Sequence, residues 1–535
     1  MTPGEKVSAV NTTCQGRSRQ RQTGALLLFL LSICLLLASL RIDSGDGETI
    51  YQVSRSLVEG RGFAIPPPPP DAVVVDPFGE PIPPEQLHGG GPYGAWGRDG
   101  RYYAQYGIGQ SLLALPLYLA GLAFYRLSGW GTAGLVTRAS VMLLNPLALA
   151  LAGTALYRLA RRLGYDHGPA LGATMASALA TPLWVYGKTF FSEPLVALAL
   201  VVAVLGALRG EEGSRGGWLL CGAALGGAVL VKPVALIVTP LFALYALTGA
   251  GNRRQALWRL AWPLAAALLV TALYNQLRFG FPFDTGYRTA AWDVAPWVGL
   301  AGLLLSPGKG LLWYCPALAA GLIGLPALAR QRCRFAALLG GVAAAYLLVH
   351  STYNHWHGGG AWGPRLIVPI IPLLMLPLAG VFSRPPRRAW ARFALALLLA
   401  ASLVLQLPAV LVHPARALQA LYDRAASPTD YTLRLLYRPA DSPLVGQWRS
   451  LMEVAALMRS PASRQAVIET AQAATREGSD DPLTATAGYL AFNTFDLWPV
   501  YWALLGAPLL PLLVVEAGLA AVAGWTGWRL GRRGG

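Results

Sequence analysis

Residues 24–40 read GALLLFLLSICLLLASL, and residues 41–51, which follow directly, read RIDSGDGETIY. The first stretch is nearly as long as the roughly 20 apolar residues that a bilayer-spanning helix needs. The segment before it is polar and basic (Lys6, Arg17, Arg19, Arg21), and no small-residue cleavage site follows the apolar run. These features predict an uncleaved signal anchor with its amino terminus inside and the acids of residues 43–48 just outside.

The composition extends this prediction to the whole chain. Of 535 residues, 54% are apolar and 13% are charged, and the mean hydropathy is +0.45. An average soluble domain has about 25% charged residues, and a folded soluble chain of this size needs more polar cover than this sequence provides. The composition therefore excludes a soluble, fibrous or disordered protein and predicts an all-α polytopic membrane protein.

Twelve apolar runs are candidate transmembrane helices. They are residues 24–41, 133–157, 168–187, 194–209, 217–231, 234–250, 256–276, 310–329, 335–350, 365–382, 391–412 and 498–528. A thirteenth run, 108–127, is interrupted by Pro116, and a crossing there would put the arginines at 158–162 outside. We therefore predict about 12 transmembrane helices and a surface or re-entrant helix near 108–127.

Four regions follow from these runs. Residues 1–23 form a cytoplasmic tail, and residues 24–412 form the transmembrane domain, which includes a large first external loop (42–132). Residues 413–497 are moderately polar, with proline and serine breaks between runs of helical period, which predicts a small external and mostly helical domain. Residues 498–535 form the last transmembrane helix and a cytoplasmic tail.

The charge distribution sets the orientation. The net charge is +17, and clusters of arginine at 158–162, 253–259, 330–334 and 384–392 fall on one side of the predicted membrane. Basic residues collect on the cytoplasmic side of membrane proteins. Both termini are therefore predicted to be cytoplasmic, the acidic loops external, and nucleic acid is not an expected partner.

Two external loops contain acids that are candidates for chemistry. Asp43 and Asp46 follow the first run directly, and Glu193 lies in KTFFSEP, residues 188–194. The phenylalanines before Glu193 and the apolar run after it partly remove the carboxylate from water, and an idle carboxylate in such surroundings is costly. The alternative for these acids is a solvated charge at the membrane interface.

Lysine usage gives a second signal. Only four of the 43 basic residues are lysines, and Lys188, Lys232 and Lys309 each stand beside a turn at an external membrane end. An ammonium group suits a phosphate as a compact point charge, so these lysines are candidate phosphate contacts. The alternative is that they snorkel at the interface, which arginine would do equally well.

Two further external loops offer candidate substrate contacts. Residues 350–365 hold three of the six histidines, among them His355 and His357, together with Trp362 and three glycines that let a ligand approach the backbone. Residues 274–293 are rich in aromatic side chains and include Tyr287 and Arg288, although an interfacial aromatic belt would look similar. No carboxylate lies close in sequence to the histidines, so a complete metal site is not predicted.

The order of these motifs resembles that of the GT-C glycosyltransferases, close to the protein O-mannosyltransferase and aminoarabinose-transferase group. The resemblance covers roughly residues 24–412. The matching pieces are Asp46 with Tyr51 and Leu57–Phe63, the tyrosine-rich entry Tyr102–Gly107, Ser192–Pro194, Lys232-Pro233, Tyr274–Gly280 and Trp362–Arg365. The resemblance implies a GT-C-like bundle and a polyprenyl-phosphate-linked sugar as donor, within the membrane lipid, with the acceptor unidentified.

The resemblance also implies roles for individual residues. Asp46, or failing it Asp43, would act as the general base on an acceptor hydroxyl, and Glu193 would support the site directly or through a divalent cation. The chain departs from the usual Asp-Glu pair, since Gly47 follows Asp46. The remaining implied residues are Lys188, Lys232, Lys309 and Arg365 for the donor phosphate, Tyr106, Tyr287, Arg288, His355, His357 and Trp362 for the substrates, and Asp46, Glu193 and His357 as candidate metal ligands.

Two other classes of function remain as alternatives. A transporter or flippase of lipid-linked precursors would show ionisable groups at mid-membrane and broken helices in matching halves, whereas Glu516 is the only acid deep in a predicted span. A non-catalytic membrane scaffold would need none of the external acids. The sequence therefore favours an integral-membrane glycosyltransferase.

Overall fold

The computed structural model describes residues 3–486 and 488–532, with side chains from residue 20 onward. The outer ends of the two predicted tails, residues 1–2 and 533–535, lie outside the described residues. In the first half of the chain the α-helices are Pro3–Leu36, Gly45–Val58, Ile108–Ser128, Ala133–Val141, Leu144–Arg162, His167–Leu179, Pro182–Tyr186, Glu193–Glu211, Gly217–Val231, Thr239–Gly249 and Arg253–Phe279.

The second half continues as helix after helix. Its α-helices are Pro296–Leu305, Leu311–Tyr314, Ala317–Gln331, Cys333–Thr352, Ile371–Met375, Leu378–Ser383, Ala389–Leu411, Ala415–Tyr422, Pro428–Tyr437, Pro443–Arg459, Pro461–Arg476, Pro482–Ala485, Tyr489–Asn493, Trp498–Leu504 and Leu509–Gly531. Short 3₁₀ helices are Pro84–Leu87, Pro233–Val238, Arg365–Ile370 and Pro439–Asp441. The predicted helical, polytopic fold class is thus confirmed.

Eight helical segments of the described chain are long and apolar enough to cross a membrane. They are Ile108–Ser128, Ala133–Arg162, Glu193–Glu211, Arg253–Phe279, Cys333–Thr352, Arg365–Ser383, Ala389–Leu411 and Leu509–Gly531. Five shorter apolar helices accompany them, namely Gln20–Leu36, Gly217–Val231, Pro233–Gly249, Pro296–Leu305 and Ala317–Gln331. About 12 crossings fit this inventory, although several predicted spans are shorter or divided.

Prolines explain why two of the predicted transmembrane runs each form two helices. The run 168–187 becomes the helices His167–Leu179 and Pro182–Tyr186, and the run 498–528 becomes Trp498–Leu504 and Leu509–Gly531, with Pro508 between them. Proline has no N–H to donate and disfavours a helical conformation at the residue before it, so a helix ends before it and a new one begins at it.

The first external loop contains structure that the sequence analysis did not predict. The strands Gly90–Gly91, Gly94–Trp96 and Tyr102–Ala104 form an antiparallel sheet, in which Ala95 pairs with Tyr103. The hairpins place Tyr102, Tyr103 and Ala104 in buried positions against the bundle. The sequence analysis identified no strand in this loop, because glycine-rich strands of two or three residues have too little alternation to be recognised in sequence.

The helix Ile108–Ser128 runs through Pro116 without a break. Near its start, Ser111 Oγ donates to Ile50 O at 2.9 Å, and just past its end Thr132 Oγ1 donates to Asp480 O at 2.6 Å. The first end thus contacts the helix Gly45–Val58, which follows the first span, and the other end contacts the region that precedes the last span. Its length and composition also suit a crossing, so the surface placement stays a prediction.

The region 413–497 is helical and packs on the first loop and on the bundle. Arg55 Nη1 lies 2.7 Å from Asp480 Oδ2, and Thr429 Oγ1 donates to Glu80 Oε1 at 2.8 Å. Ser442 Oγ donates to Pro307 O at 2.7 Å. These contacts hold the region against the end of the bundle at which Asp46 lies.

Candidate active site

Four charged side chains from distant parts of the sequence meet in one chain of contacts. The Arg365 guanidinium donates to the Asp46 carboxylate through Nη2, and its Nε donates to Glu193 Oε1 at 3.1 Å. Lys232 Nζ donates to the same Glu193 oxygen at 2.9 Å. Two cations and two carboxylates therefore alternate in space, and each of the four was singled out by the sequence.

Each of these side chains stands at the end of a helical element. Asp46 is in the first turn of Gly45–Val58, where Ser44 Oγ caps the helix by accepting from Gly47 N at 3.1 Å. Glu193 is the first residue of Glu193–Glu211, and Lys232 follows the last residue of Gly217–Val231. Helix N-termini favour carboxylates, because the helix dipole presents partial positive charge there. The two carboxylates of the site therefore stand where the helix dipoles stabilise negative charge.

Burial makes the charges at this site consequential. Glu193 is 0% exposed, and its Oε2 has no hydrogen-bond partner among the described atoms. A carboxylate removed from water is held in its charged form only by compensating cations, which Arg365 and Lys232 supply. The Arg365 guanidinium also lies 3.9 Å from the centre of the Phe191 ring, a cation–π contact that fixes its plane.

Tyrosines surround the Asp46 end of the site. The rings of Tyr106 and Tyr287 meet edge to face with centroids 6.1 Å apart. Burial, and next the negative charge of Asp46, raise the pKa of both phenols, and the same two causes raise the pKa of Tyr93. These hydroxyls therefore stay protonated and neutral beside the carboxylate.

A second buried cluster holds Lys188, which does not join the first. Lys188 Nζ lies 2.8 Å from Asp496 Oδ2 and also donates to the carbonyl oxygens of Val410 and Asp496 at 2.6 and 2.7 Å. In the same cluster Asp43 Oδ2 lies 2.7 Å from His413 Nε2. Burial works against the Asp496 carboxylate, but Lys188, His413 and Arg41 together lower its pKa. Three protein acceptors thus occupy the ammonium group.

Lys309 occupies a third position. It is 0% exposed, and its Nζ donates to Gly359 O at 2.7 Å and to Ala361 O. Burial, and next the positive charge of Arg365, lower the pKa of Lys309 to about 7. The lysine therefore braces the glycine-rich loop that leads to Arg365. The three lysines do not converge on one point, and none of them snorkels to solvent.

The remaining predicted substrate residues are held within the protein. Trp362 is 5% exposed, packs edge to face on Tyr314, and donates from Nε1 to Gln406 at 3.1 Å, so its ring serves the core. His357 Nδ1 accepts from Gly359 N at 3.1 Å, and His355 Nδ1 lies 3.1 Å from the Asn354 side-chain oxygen. Arg288 pairs with Asp284 at 2.7 Å.

A family model matches the part of the chain that contains Glu193 and Lys232. Residues 131–278 match the model described as dolichyl-phosphate-mannose-protein mannosyltransferase. This match confirms the predicted resemblance. The chain is a membrane glycosyltransferase.

Solved structures show a distant likeness to this glycosyltransferase. A crystal structure of ArnT from Cupriavidus metallidurans bound to undecaprenyl phosphate is 16% identical, with a TM-score of 0.45, and the match covers 93% of this chain and 77% of that one. The Archaeoglobus fulgidus oligosaccharyltransferase in its apo form is 14% identical, with a TM-score of 0.43, over 80% of this chain and 63% of that one. At these values the likenesses support no argument about function. No curated protein matches the chain.

The charged residues of the glycosyltransferase do not form a recognisable metal centre. The described ranges contain no group of three or more His, Cys, Asp and Glu side chains placed to hold a metal ion. Of the three candidate ligands, Asp46 and Glu193 are both bound by the Arg365 guanidinium, while His357 bonds within its own loop. The residues present therefore do not fit a divalent cation.

Several residues of the site had no signal in the sequence. Tyr93 and Tyr353 belong to the wall near Asp46, and Phe191 lies under Arg365. The sequence marked these positions only as aromatic residues of external loops, which an interfacial belt explains equally well. Asp496 and His413, the partners of Lys188 and Asp43, were not distinguished from the other polar residues of their region.

Proposed function

We propose that the glycosyltransferase moves a sugar from a polyprenyl-phosphate donor to an acceptor hydroxyl at the external face, with Asp46 as general base. The observation that supports this most directly is the Arg365 guanidinium, which contacts both Asp46 and Glu193, with Lys232 on the second carboxylate. The proposed base and the two cations that would neutralise the leaving phosphate are thus linked by direct contacts. The matched family is described by a sugar linked to a lipid phosphate.

The proposed step conserves atoms and charge. The acceptor oxygen attacks the anomeric carbon, the bond from that carbon to the phosphate oxygen breaks, and the lipid phosphate leaves with the electron pair. The acceptor proton passes to Asp46. A carboxylate performs this task as a general base, because the hydroxyl becomes acidic only as the new bond forms.

The ion pairs couple the transfer of the acceptor proton to the release of the lipid phosphate. When Asp46 takes the proton, it loses the negative charge that holds Arg365. The guanidinium can then pair with the phosphate, whose negative charge rises as the lipid leaves. Charge stabilisation placed where charge develops is usually the largest part of such catalysis. Glu193 keeps Lys232 and Arg365 in place throughout, because it is buried between them.

The external location follows from the predicted orientation. Asp46 follows the first span, and the arginine clusters lie at the other ends of the helices, where Arg162 pairs with Glu212 and Arg334 with Glu211. By the positive-inside rule that second face is cytoplasmic. The acceptor hydroxyl would therefore be presented from outside, within the plane of the membrane or above it.

A transfer assay tests the proposal against the two other classes of function. Right-side-out membrane vesicles containing the protein receive polyprenyl-phosphate sugars with a radiolabelled sugar. We expect label on an acceptor together with release of free polyprenyl phosphate. Movement of intact labelled donor across the bilayer would instead identify a flippase. If neither transfer nor movement is observed, the protein is a non-catalytic scaffold.

A further inference from the structure

An apolar groove lies on the flank of the bundle, away from the charged site. It has a volume of about 480 Å³ and runs along the helices Leu144–Arg162, Glu193–Glu211 and Gly217–Val231. Its middle is lined by apolar side chains, among them Leu151, Leu198, Val202, Leu205 and Ala224. The groove is open on one side, and no acidic side chain is among the described residues that line it.

Two arginines stand at the end of the groove that is remote from Asp46. They are Arg158, in the last turns of its helix, and Arg209, two residues before the end of Glu193–Glu211. Within the described ranges neither guanidinium has an ion-pair partner, and the buried Nε of Arg209 has no hydrogen-bond acceptor.

The two acids that follow Arg209 most closely in sequence already have partners. Glu212 pairs with Arg162 at 2.5 Å, and Glu211 accepts from both Arg334 and Tyr245. A buried donor without an acceptor is costly, so the buried Nε of Arg209 favours an anion supplied from outside the chain. Arg158 is exposed, lines the same groove and adds a second positive charge at these positions. The apolar groove that leads to these positions favours an anion attached to a hydrocarbon chain.

We propose that this groove binds one anionic phospholipid. One acyl chain lies along the apolar helices, and the phosphate lies between Arg158 and Arg209. Basic pockets between transmembrane helices at the cytoplasmic surface are suited to anionic headgroups. Guanidinium groups bind phosphate through paired, charge-assisted hydrogen bonds. A zwitterionic headgroup binds less tightly, because its own cation is repelled by the two arginines.

The proposed phosphate position is separate from the site of transfer. Glu193 and Arg209 are the two ends of one helix, sixteen residues apart, which corresponds to about 24 Å. A phosphate held at Arg209 is therefore not the one that reacts near Asp46. The lipid in this groove therefore comes from the surrounding membrane and is not the sugar donor.

Gly227 provides a direct way to block the groove. A Cβ at this position would meet no atom within 4 Å, and the residue lines the groove, so Gly227→Leu fills the space that a chain would occupy. Gly340 is the matched control, since it also lies within a helix with nothing within 4 Å of a Cβ but does not line the groove.

The experiment measures lipid retained by the purified full chain. Protein is reconstituted in nanodiscs of equal phosphatidylglycerol and phosphatidylcholine, released into mild detergent, and the bound lipids are counted by native mass spectrometry. We expect the wild type and Gly340→Leu to retain phosphatidylglycerol and Gly227→Leu to lose it. The double variant R158Q/R209Q should lower the ratio of retained phosphatidylglycerol to phosphatidylcholine about tenfold, and R158K/R209K should restore most of it.

Either of two results overturns the proposal. The first is a wild-type lipid ratio in R158Q/R209Q, which decides the matter even where a leucine variant does not fold. The second comes from a parallel sample with added polyprenyl phosphate. Loss of that lipid from Gly227→Leu, with phosphatidylglycerol unchanged, would assign the groove to the donor chain instead.

Discussion

Lys188 Nζ lies 2.8 Å from the Asp496 carboxylate, although 308 residues separate the two in sequence. The pair joins the start of the loop before Glu193 to the segment that leads into the last span. Both side chains are almost completely buried. The contact therefore fastens the region 413–497 to the bundle and is distinct from the charges around Asp46.

The first prediction concerns this pair. Lys188→Met should lower the free energy of unfolding by about 3–5 kcal/mol, because it removes the only cation in direct contact with the buried Asp496 carboxylate among the described residues. The double variant Lys188→Met with Asp496→Asn should recover much of the loss, since both charges are then absent. Thermal denaturation in detergent measures both effects. Unchanged stability with weaker binding of a polyprenyl phosphate would instead assign Lys188 to the donor, as the sequence predicted.

The second prediction separates the two acids of the first loop. Asp46→Asn should lower the rate of transfer about 10²–10⁴-fold, because the amide cannot accept the hydroxyl proton. Asp43→Asn is the matched control, and it should cost far less, since Asp43 bonds His413 in the neighbouring cluster. Initial rates at saturating donor compare the two variants. The reverse order would move the base to Asp43, and wild-type rates in both would remove the loop from the chemistry.

The sequence indicates the positions of the charged residues in the candidate site more clearly than the contacts between them. Asp46, Glu193 and Lys232 stand where long apolar runs begin or end, and hydropathy locates such points well. Arg365 was expected to contact only the donor phosphate, and its bridge between two carboxylates could not be read from spacing, because its partners are 319 and 172 residues away. Pairing over such distances depends on how the helices pack.

The details of the fold that the sequence did not predict have equally local reasons. The sheet at 90–104 escaped notice because its strands are short and rich in glycine, while the divided spans at Pro182 and Pro508 read as continuous apolar runs. Lys309 shows the same limit for side chains. Its turn, Ser306–Gly310, looks like an exposed helix start in sequence, whereas the loop 358–363 covers it completely in the structure.

The third prediction concerns Arg365. Arg365→Lys should lower kcat/KM about 10²-fold, because an ammonium group cannot span Asp46 and Glu193 as the planar guanidinium does. Arg162→Gln serves as control, since it removes an arginine–glutamate pair at the opposite end of the bundle. Steady-state kinetics over a range of donor concentrations measure the loss. A wild-type value for Arg365→Lys would show that the bridge between the carboxylates is dispensable.

The fourth prediction concerns orientation. A cysteine at Ser427 should react with an impermeant maleimide added outside intact cells, and a cysteine at Ser383 should react only after the membrane is opened. Both positions are exposed in the structure, and the exposed native Cys333 is replaced by serine beforehand. The arginines at 384–392 place Ser383 at the cytoplasmic face by the positive-inside rule. Labelling of Ser383 alone from outside would invert the topology.

The fifth prediction is a dependence of stability on pH that comes from Lys309. Its pKa is about 7 in the folded protein and 10.5 in the reference state, so between these values the unfolded chain binds a proton that the folded chain does not. Stability therefore rises with pH across this window, is at its full value above about pH 10.5, and is lost as the pH falls to 7.

Lys309→Met isolates this contribution because it removes the titrating group and keeps most of the side-chain volume. The difference in unfolding free energy between wild type and Lys309→Met should grow in favour of the wild type by about 1.4 kcal/mol for each pH unit between 7 and 9. Lys309→Arg should be less stable than wild type at every pH in this range, since a guanidinium remains charged in a position with two carbonyl acceptors and a nearby Arg365. Denaturation midpoints at pH 7, 8 and 9 measure all three proteins. A parallel pH dependence in wild type and Lys309→Met would mean that the ammonium group stays protonated on the carbonyl oxygens of Gly359 and Ala361.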